Sequence, residues 1–268
     1  VTFSVVARSG SAVGVAVASK FLAAGAVVPA AEAEVGALAT QAMANFAYRP
    51  QGLTLLRTGV APADVVAGLT AADPGRADRQ LGVVGCSGDG ATYTGADCLD
   101  WAGGVAGPGY AIQGNILTGP EVVEAMESAW LGGAELPFAE RLVATLAAGD
   151  AAGGDSRGRQ SAALYIADRG AGYGGLSDTA YDLRVDDHPD PVTELARLLA
   201  GHEILFGTPD PATLLALTGT LATEVAALLT AVGHPTLDRW AGVENLEGRL
   251  VPGFIDPLVL EHLRTKAQ

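Results

Sequence analysis

Apolar and polar positions set the elements along this chain. It opens with two apolar segments, Thr2-Phe3-Ser4-Val5-Val6-Ala7-Arg8 and Gly14-Val15-Ala16-Val17-Ala18-Ser19-Lys20, separated by Ser9-Gly10-Ser11. Runs of Val and Ala meeting at a Ser/Gly turn predict a β-hairpin. Gly25 to Pro29 reads as a turn, and Glu34 to Ala42 as a third strand running into Asn45, Phe46 and Tyr48. Gln51 to Thr58 reads as a short helix. The stretch from Ala61 to Ala72 is more plainly helical, with Pro62 in its first turn and Val65, Val66 and Leu69 at helical spacing.

Asp73-Pro74-Gly75-Arg76 breaks that helix, and Gln80–Val84 and Ala91–Thr94 then read as two short strands. The glycine-rich stretch from Trp101 to Gly114 reads as a loop, with Tyr110 to Asn115 as an edge strand or binding loop inside it. Two helices are expected over Gly119–Leu131 and Pro137–Ala148, and a loop over Gly153–Gln160. Strands are expected over Ser161–Ala167 and Tyr181–Val185, and a helix over Val192–Phe206. Gly207-Thr208-Pro209 marks a boundary, so residues 1–207 read as one domain and 208–268 as a helical C-terminal extension. That extension reads as short helices over Ala212–Leu217, Leu221–Val232, Leu237–Leu250 and Asp256–Leu263. The order is strand-rich, helix pair, strand-rich. Regular strand–helix alternation is missing, which favours an α+β sandwich in which helices cover sheets over a doubly wound fold.

Composition sharpens this. The 268 residues include 36 Gly and are 49% hydrophobic but only 6% aromatic, so the core is built from Ala, Val and Leu packed on glycine-rich backbone. Charged residues are 17% and the net formal charge is -14, which offers no phosphate-neutralising face and argues against nucleic acid as a partner. No segment reads as a membrane span or a secretory signal, so a cytoplasmic location and no membrane association are expected. Cys86 and Cys98 suit neither a disulfide scaffold nor a metal site and are expected to pack as small buried groups.

Several residues carry candidate chemistry. An internal threonine hydroxyl is a poor nucleophile, whereas a terminal threonine has its own α-amine, of pKa about 8, as base. Thr2 therefore reads either as a nucleophile or as an ordinary first-strand residue. Val1 precedes it, and an initiator encoded by a valine-type start codon, trimmed as methionine, would expose Thr2. Lys20 ends the second strand near the chain start and either supports that hydroxyl or is a solvated strand-end lysine. Asn45 is a candidate oxyanion donor or a turn cap, and Gln41 lies in the same polar segment. Gln113-Gly114-Asn115 presents two amides around a glycine that permits close approach, for substrate or simply to stitch a loop. In the Gly153–Gln160 loop, Arg157 or Arg159 could clamp a substrate carboxylate, or each could pair with Asp155 or with Asp186-Asp187. Asp186-Asp187-His188 with Asp190 has a metal-like composition but no nearby second histidine, and capping of the following helix is the better reading.

Taken together, these segments resemble a known bacterial family. The marks are Thr2 to Arg8, Gly14 to Lys20, Ala39-Thr40-Gln41-Ala42, Asp73-Pro74-Gly75-Arg76, Tyr110 to Leu117, Gly153 to Ser161, and Val185-Asp186-Asp187-His188-Pro189. The family is known as a domain of unknown function, and its fold is similar to that of the N-terminal-nucleophile hydrolases. The resemblance covers residues 2–206 and implies a four-layer αββα sandwich with Thr2 at the nucleophile position. By analogy with proteasome-type members, Lys20 is the residue available to support it.

The expected activity is hydrolysis of a small-molecule or peptide-like amide. Thr2 is the nucleophile, Asn45 and Asn115 hold the oxyanion, and Gln41, Gln113, Asp155, Arg157 and Arg159 bind substrate. No metal or organic cofactor is required. The expected partners are a small-molecule substrate and further copies of the chain in a homo-oligomer. The rival expectation is a non-catalytic protein on the same fold that binds a small metabolite or serves assembly.

Overall fold

A computed structural model describes residues 2–268, so the question of Val1 and its removal lies outside the described residues. In chain order the elements begin with the hairpin β1 (Thr2–Ser9) and β2 (Ala12–Ser19), a single-turn helix α1 (Ala24–Val27), β3 (Pro29–Glu32) and β4 (Gly36–Ala42). Helices α2 (Tyr48–Arg57) and α3 (Pro62–Ala71) lead into β5 (Arg79–Gly85), β6 (Ala91–Thr94), β7 (Gly103–Gly107) and β8 (Tyr110–Asn115). Then come α4 (Glu121–Gly132), α5 (Phe138–Ala151), β9 (Ser161–Ala167), β10 (Thr179–Val185) and α6 (Pro191–Phe206). The remainder holds β11 (Leu215–Ala216), α7 (Gly219–Ala231), α8 (Leu237–Glu244), β12 (Phe254–Ile255) and α9 (Pro257–Lys266). The fold is thus mixed α+β, with antiparallel sheets and nine helices among the described residues.

Two units divide the chain, one ending at Arg197 and one running from Leu198 to Gln268. The division falls inside α6, whereas Gly207-Thr208-Pro209, the boundary expected from sequence, lies just past that helix's end.

The first unit contains two sheets. One has the order β10-β9-β2-β1-β8-β7, which puts the opening hairpin at its centre; the other has the order β3-β4-β5-β6. The sheets face each other through β1 and β2 against β4, and β5 against β8, while α4 and α5 contact the first sheet and α2 and α3 the second. The small-residue composition is visible between the sheets, where Val6, Val15, Val17, Ala37, Ala39 and Ala163 form one buried cluster. On the α2/α3 side, Leu38, Tyr48, Val65, Leu69, Leu81 and Val83 form another. The spacing of Val65, Val66 and Leu69 read from sequence is the buried face of α3.

Several expectations are corrected. Trp101–Gly114 is not a loop: Gly103–Gly107 and Tyr110–Asn115 pair as a hairpin around Pro108-Gly109. Proline pre-sets the first turn position, and Gly109, at φ 75°, takes the left-handed second one. Ala212–Leu217 is not helical either; Leu215 and Ala216 pair with Ile255 and Phe254 as a short ribbon. The second unit has its own core, with Trp240, Leu246, Val259 and Leu263 fully or almost fully buried. Cys86, expected to be buried, is exposed, and both cysteines are free thiols. Among the described residues no helix is long and apolar enough to cross a membrane.

Candidate functional site

The hairpin register sets the first relationship. Phe3 lies opposite Ala18 and Ser4 opposite Val17, which brings the start of β1 to the end of β2. Thr2 Oγ1 and Ser19 Oγ are 3.1 Å apart, a hydrogen bond in which either hydroxyl can donate. On its other side Thr2 pairs with Asn115 in β8. Both hydroxyl residues are buried.

Behind Thr2 a network of amides runs between the two sheets. Gln41 Nε2 donates to the Thr2 carbonyl at 3.2 Å, to the Gln113 carbonyl at 3.3 Å and to Gln80 Oε1 at 2.8 Å. The same Gln80 Oε1 accepts Asn115 Nδ2 at 2.8 Å, and Gln80 Nε2 donates to the Gly114 carbonyl at 2.7 Å. Ser4 Oγ donates to Gln41 Oε1 and accepts from Gln113 Nε2, each at 2.7 Å. Buried polar groups need such partners, and a connected network holds one arrangement. Gln41 and Gln113 are therefore interior groups that join the sheets around the Thr2 backbone.

A second cluster surrounds the end of β2. Asp155 Oδ2 accepts the Lys20 main-chain N–H at 2.7 Å, and Oδ1 accepts that of Arg157 at 2.9 Å. Arg157 Nη2 donates to the Lys20 carbonyl at 2.9 Å, and Gln160 N donates to the Ser19 carbonyl at 3.1 Å. On the other side Ser156 N donates to the Ile116 carbonyl at 3.0 Å. One loop thus fastens the ends of both strands that flank β1. Lys20 Nζ donates to the Arg159 carbonyl at 3.2 Å, toward the surface. Arg159 Nε donates to Asp150 Oδ1 at 2.7 Å. A cavity of about 440 Å³ opens here, with Phe3, Ser19, Asp150, Asp155, Arg159 and Pro189 in its wall.

Asn45 belongs to neither cluster. Its Nδ2 donates to Asp73 Oδ2 at 3.0 Å, beside the Tyr48 hydroxyl at 2.9 Å and Arg79 Nε at 3.0 Å. Arg79, Asn45 and the Gly75 N–H hold the Asp73 carboxyl well below the usual carboxylate range. Burial, then Asp73 itself, pushes the Tyr48 phenol up. At the acidic run, His188 Nδ1 accepts the Asp190 N–H at 3.0 Å just ahead of α6. Among the described residues no group of three or more His, Cys, Asp or Glu could hold a metal ion.

The structure therefore brings Thr2, Asn115, Gln41 and Gln113 together, groups Lys20, Asp155, Arg157 and Arg159 next to them, and sets Asn45 apart. Sequence reasoning did not single out Ser19 as a site residue, nor Gln80 or Asp150. The first two had signals. A tight turn at Gly10-Ser11 puts Thr2 level with Ser19, and Gln80 is a polar residue entering an apolar strand. Asp150 carried none, since nothing local to α5 distinguishes it.

A family model described as a family of unknown function, DUF1028, matches residues 2–195. The chain belongs to this family. A DUF1028 crystal structure, that of protein SPO2555 from Silicibacter pomeroyi, is 30% identical with a TM-score of 0.68, covering 83% of this chain and 92% of that one. No curated protein matches the sequence. The DUF1028 match takes in the Thr2 network and the Asp155 loop together, while the second unit, from Leu198, lies beyond it.

Proposed function

We propose that this DUF1028 protein is an amidohydrolase of the N-terminal-nucleophile type, with Thr2 as nucleophile once whatever precedes it is removed. Two facing sheets with a helix pair against each support reading the first unit as a four-layer αββα sandwich of that kind. The observation that carries the reading is the Thr2–Ser19 hydroxyl pair beside the inter-sheet amide network, with Ser19, though not Thr2, in the wall of the adjoining cavity.

The freed Thr2 amine takes the proton of Oγ1, directly or through water, and the oxygen attacks the substrate carbonyl carbon. Ser19 Oγ orients the attacking oxygen. Asn115 Nδ2 gives one hydrogen to Gln80, and its second hydrogen stabilises the oxyanion. The protonated amine returns its proton to the leaving nitrogen as the C–N bond breaks, leaving an ester on Thr2. Water then attacks that ester, its proton passing back through the amine, and releases the acid. Lys20 contributes positive charge at the rim.

The direction of Lys20 favours a second reading. Its ammonium is given to the Arg159 carbonyl, as in a binding protein on this fold that performs no hydrolysis. Intact mass and N-terminal sequence of protein made in its own host, with turnover of a panel of N-acyl amides by the unmodified protein and by Thr2→Ala, separate the two. A chain starting at Thr2 whose turnover is lost in Thr2→Ala supports the hydrolase. Undiminished turnover in Thr2→Ala, or a residue retained before Thr2, overturns it.

A further inference from the structure

We infer that Arg159 is a carboxylate-binding residue of the cavity beside Ser19, whose ligands are small molecules with a free carboxylate, such as N-acyl amino acids. The cavity adjoins the Thr2 network through Ser19, but Thr2 is not in its wall, so the assignment is of a binding site and stands apart from the Thr2 chemistry.

The inference begins with the way the two arginines of the loop are used. Arg157 is occupied: its Nε and Nη2 face Asp155, and Nη2 also donates to the Lys20 carbonyl. Arg159 is held by one edge only. Its Nε donates to Asp150, and its two terminal nitrogens have no protein partner among the described residues. The side chain is half exposed and forms part of the cavity wall shared with Ser19. A guanidinium fixed through Nε presents its Nη pair as a planar fork, the geometry that matches both oxygens of a carboxylate.

Asp150 supports the same assignment. It lies in the last turn of α5, where the helix dipole disfavours a carboxylate. Its position is explained by the orientation it gives Arg159. The nearby acids do not cancel the fork. Asp155 is almost fully buried and occupied by two main-chain N–H groups and Arg157, and Asp150 is spent on Nε. Asp190 acts on Arg159 through space without a hydrogen bond to it. Selection therefore comes from donor geometry more than from net field. Phe3, Ala18, Pro189 and Pro191 supply apolar wall for the rest of the ligand, and about 440 Å³ accommodates a small acylated amino acid.

The test is direct binding, by titration calorimetry or ligand-observed NMR, of N-acetylglycine, N-acetylalanine and N-acetylglutamine, each beside its neutral primary amide. Full-length protein and the Thr2→Ala variant are both used. At least one acid is expected to bind about tenfold or more tightly than its amide in both. That preference is expected to disappear in Arg159→Gln, to fall in Arg159→Lys, which keeps the charge but loses the fork, and to persist in Arg169→Gln, whose arginine pairs with Glu34 elsewhere. Equal binding of acid and amide, no binding of any acid, or a preference that survives both Arg159 variants overturns the inference. Because no arm requires turnover, failure of the Thr2 chemistry leaves the preference intact, and failure of the preference leaves the Thr2 test standing.

Discussion

Asp155 holds the main-chain N–H of Lys20 at 2.7 Å through a carboxylate that is itself almost fully buried. This contact sets where β2 ends, and hence where Ser19 stands against Thr2. Asp155→Ala leaves the Lys20 and Arg157 N–H groups without their acceptor and Arg157 without its partner. The expected cost is about 2–4 kcal/mol in denaturant unfolding. Amide exchange at Lys20 and Gln160 should accelerate by more than the loss of global stability accounts for. Uniform acceleration across the first unit would assign Asp155 to general stability instead.

Gly82 and Gln113 make a second close pair, across the two sheets. A Cβ on Gly82 would stand 2.1 Å from Gln113 Oε1, a buried acceptor without a hydrogen-bond partner among the described residues. Gly82→Ala is expected to destabilise the protein by about 1–3 kcal/mol, because Gln113 cannot move without breaking its bond to Ser4. In a Gln113→Ala background the same substitution should cost much less. Additive costs in the double variant would show that the clash lies with the surrounding backbone.

Glycines also decide what sequence pattern reveals here and what it hides. The opening hairpin and β9 were legible as continuous apolar runs, buried on both faces, and α3 because Val65, Val66 and Leu69 recur at helical spacing. The β7–β8 hairpin was obscured because Gly103, Gly104, Gly107 and Gly114 remove the side-chain alternation by which a strand is recognised. Thr2, Asn115 and Asp155 could be picked out by residue type. Whether each faces a cavity or the interior depends on strand register and on loops distant in sequence. That is why Gln41 and Gln113, expected against substrate, lie within the amide network, and why Asn45 is bonded to Asp73.

Asp73 makes the acid response predictable. Arg79, Asn45 and the Gly75 N–H favour its charged form, so its folded pKa lies below the unfolded value of about 3.9. A carboxyl depressed in this way contributes stability that is present above the unfolded value and is lost as pH falls toward the folded one. The melting temperature should therefore fall as pH drops below about 4, and more steeply than in Asp73→Asn. Asp73→Asn should be less stable than the unmodified protein at neutral pH and converge on it at low pH. Parallel curves for the two proteins would exclude Asp73 as a source of the acid sensitivity.

In the second unit, Arg249 and Asp256 form a buried ion pair at 2.5 Å, each about 4% exposed. Asp256 also caps α9 by accepting the Leu258 N–H at 2.8 Å, while Arg249 donates to the carbonyls of Glu203 and Ile204 in the last turn of α6. One side-chain pair thus closes the end of one helix and the start of another. Asp256→Ala strands a buried guanidinium and removes a cap, for an expected loss of about 3–5 kcal/mol. The double substitution Arg249→Met with Asp256→Leu removes both charges, so it should cost less than Asp256→Ala alone even though the cap is gone. Amide exchange in α9 and in the last turn of α6 reads the effect locally, and a double variant less protected there than Asp256→Ala would show that the pair is net stabilising beyond its need to be matched.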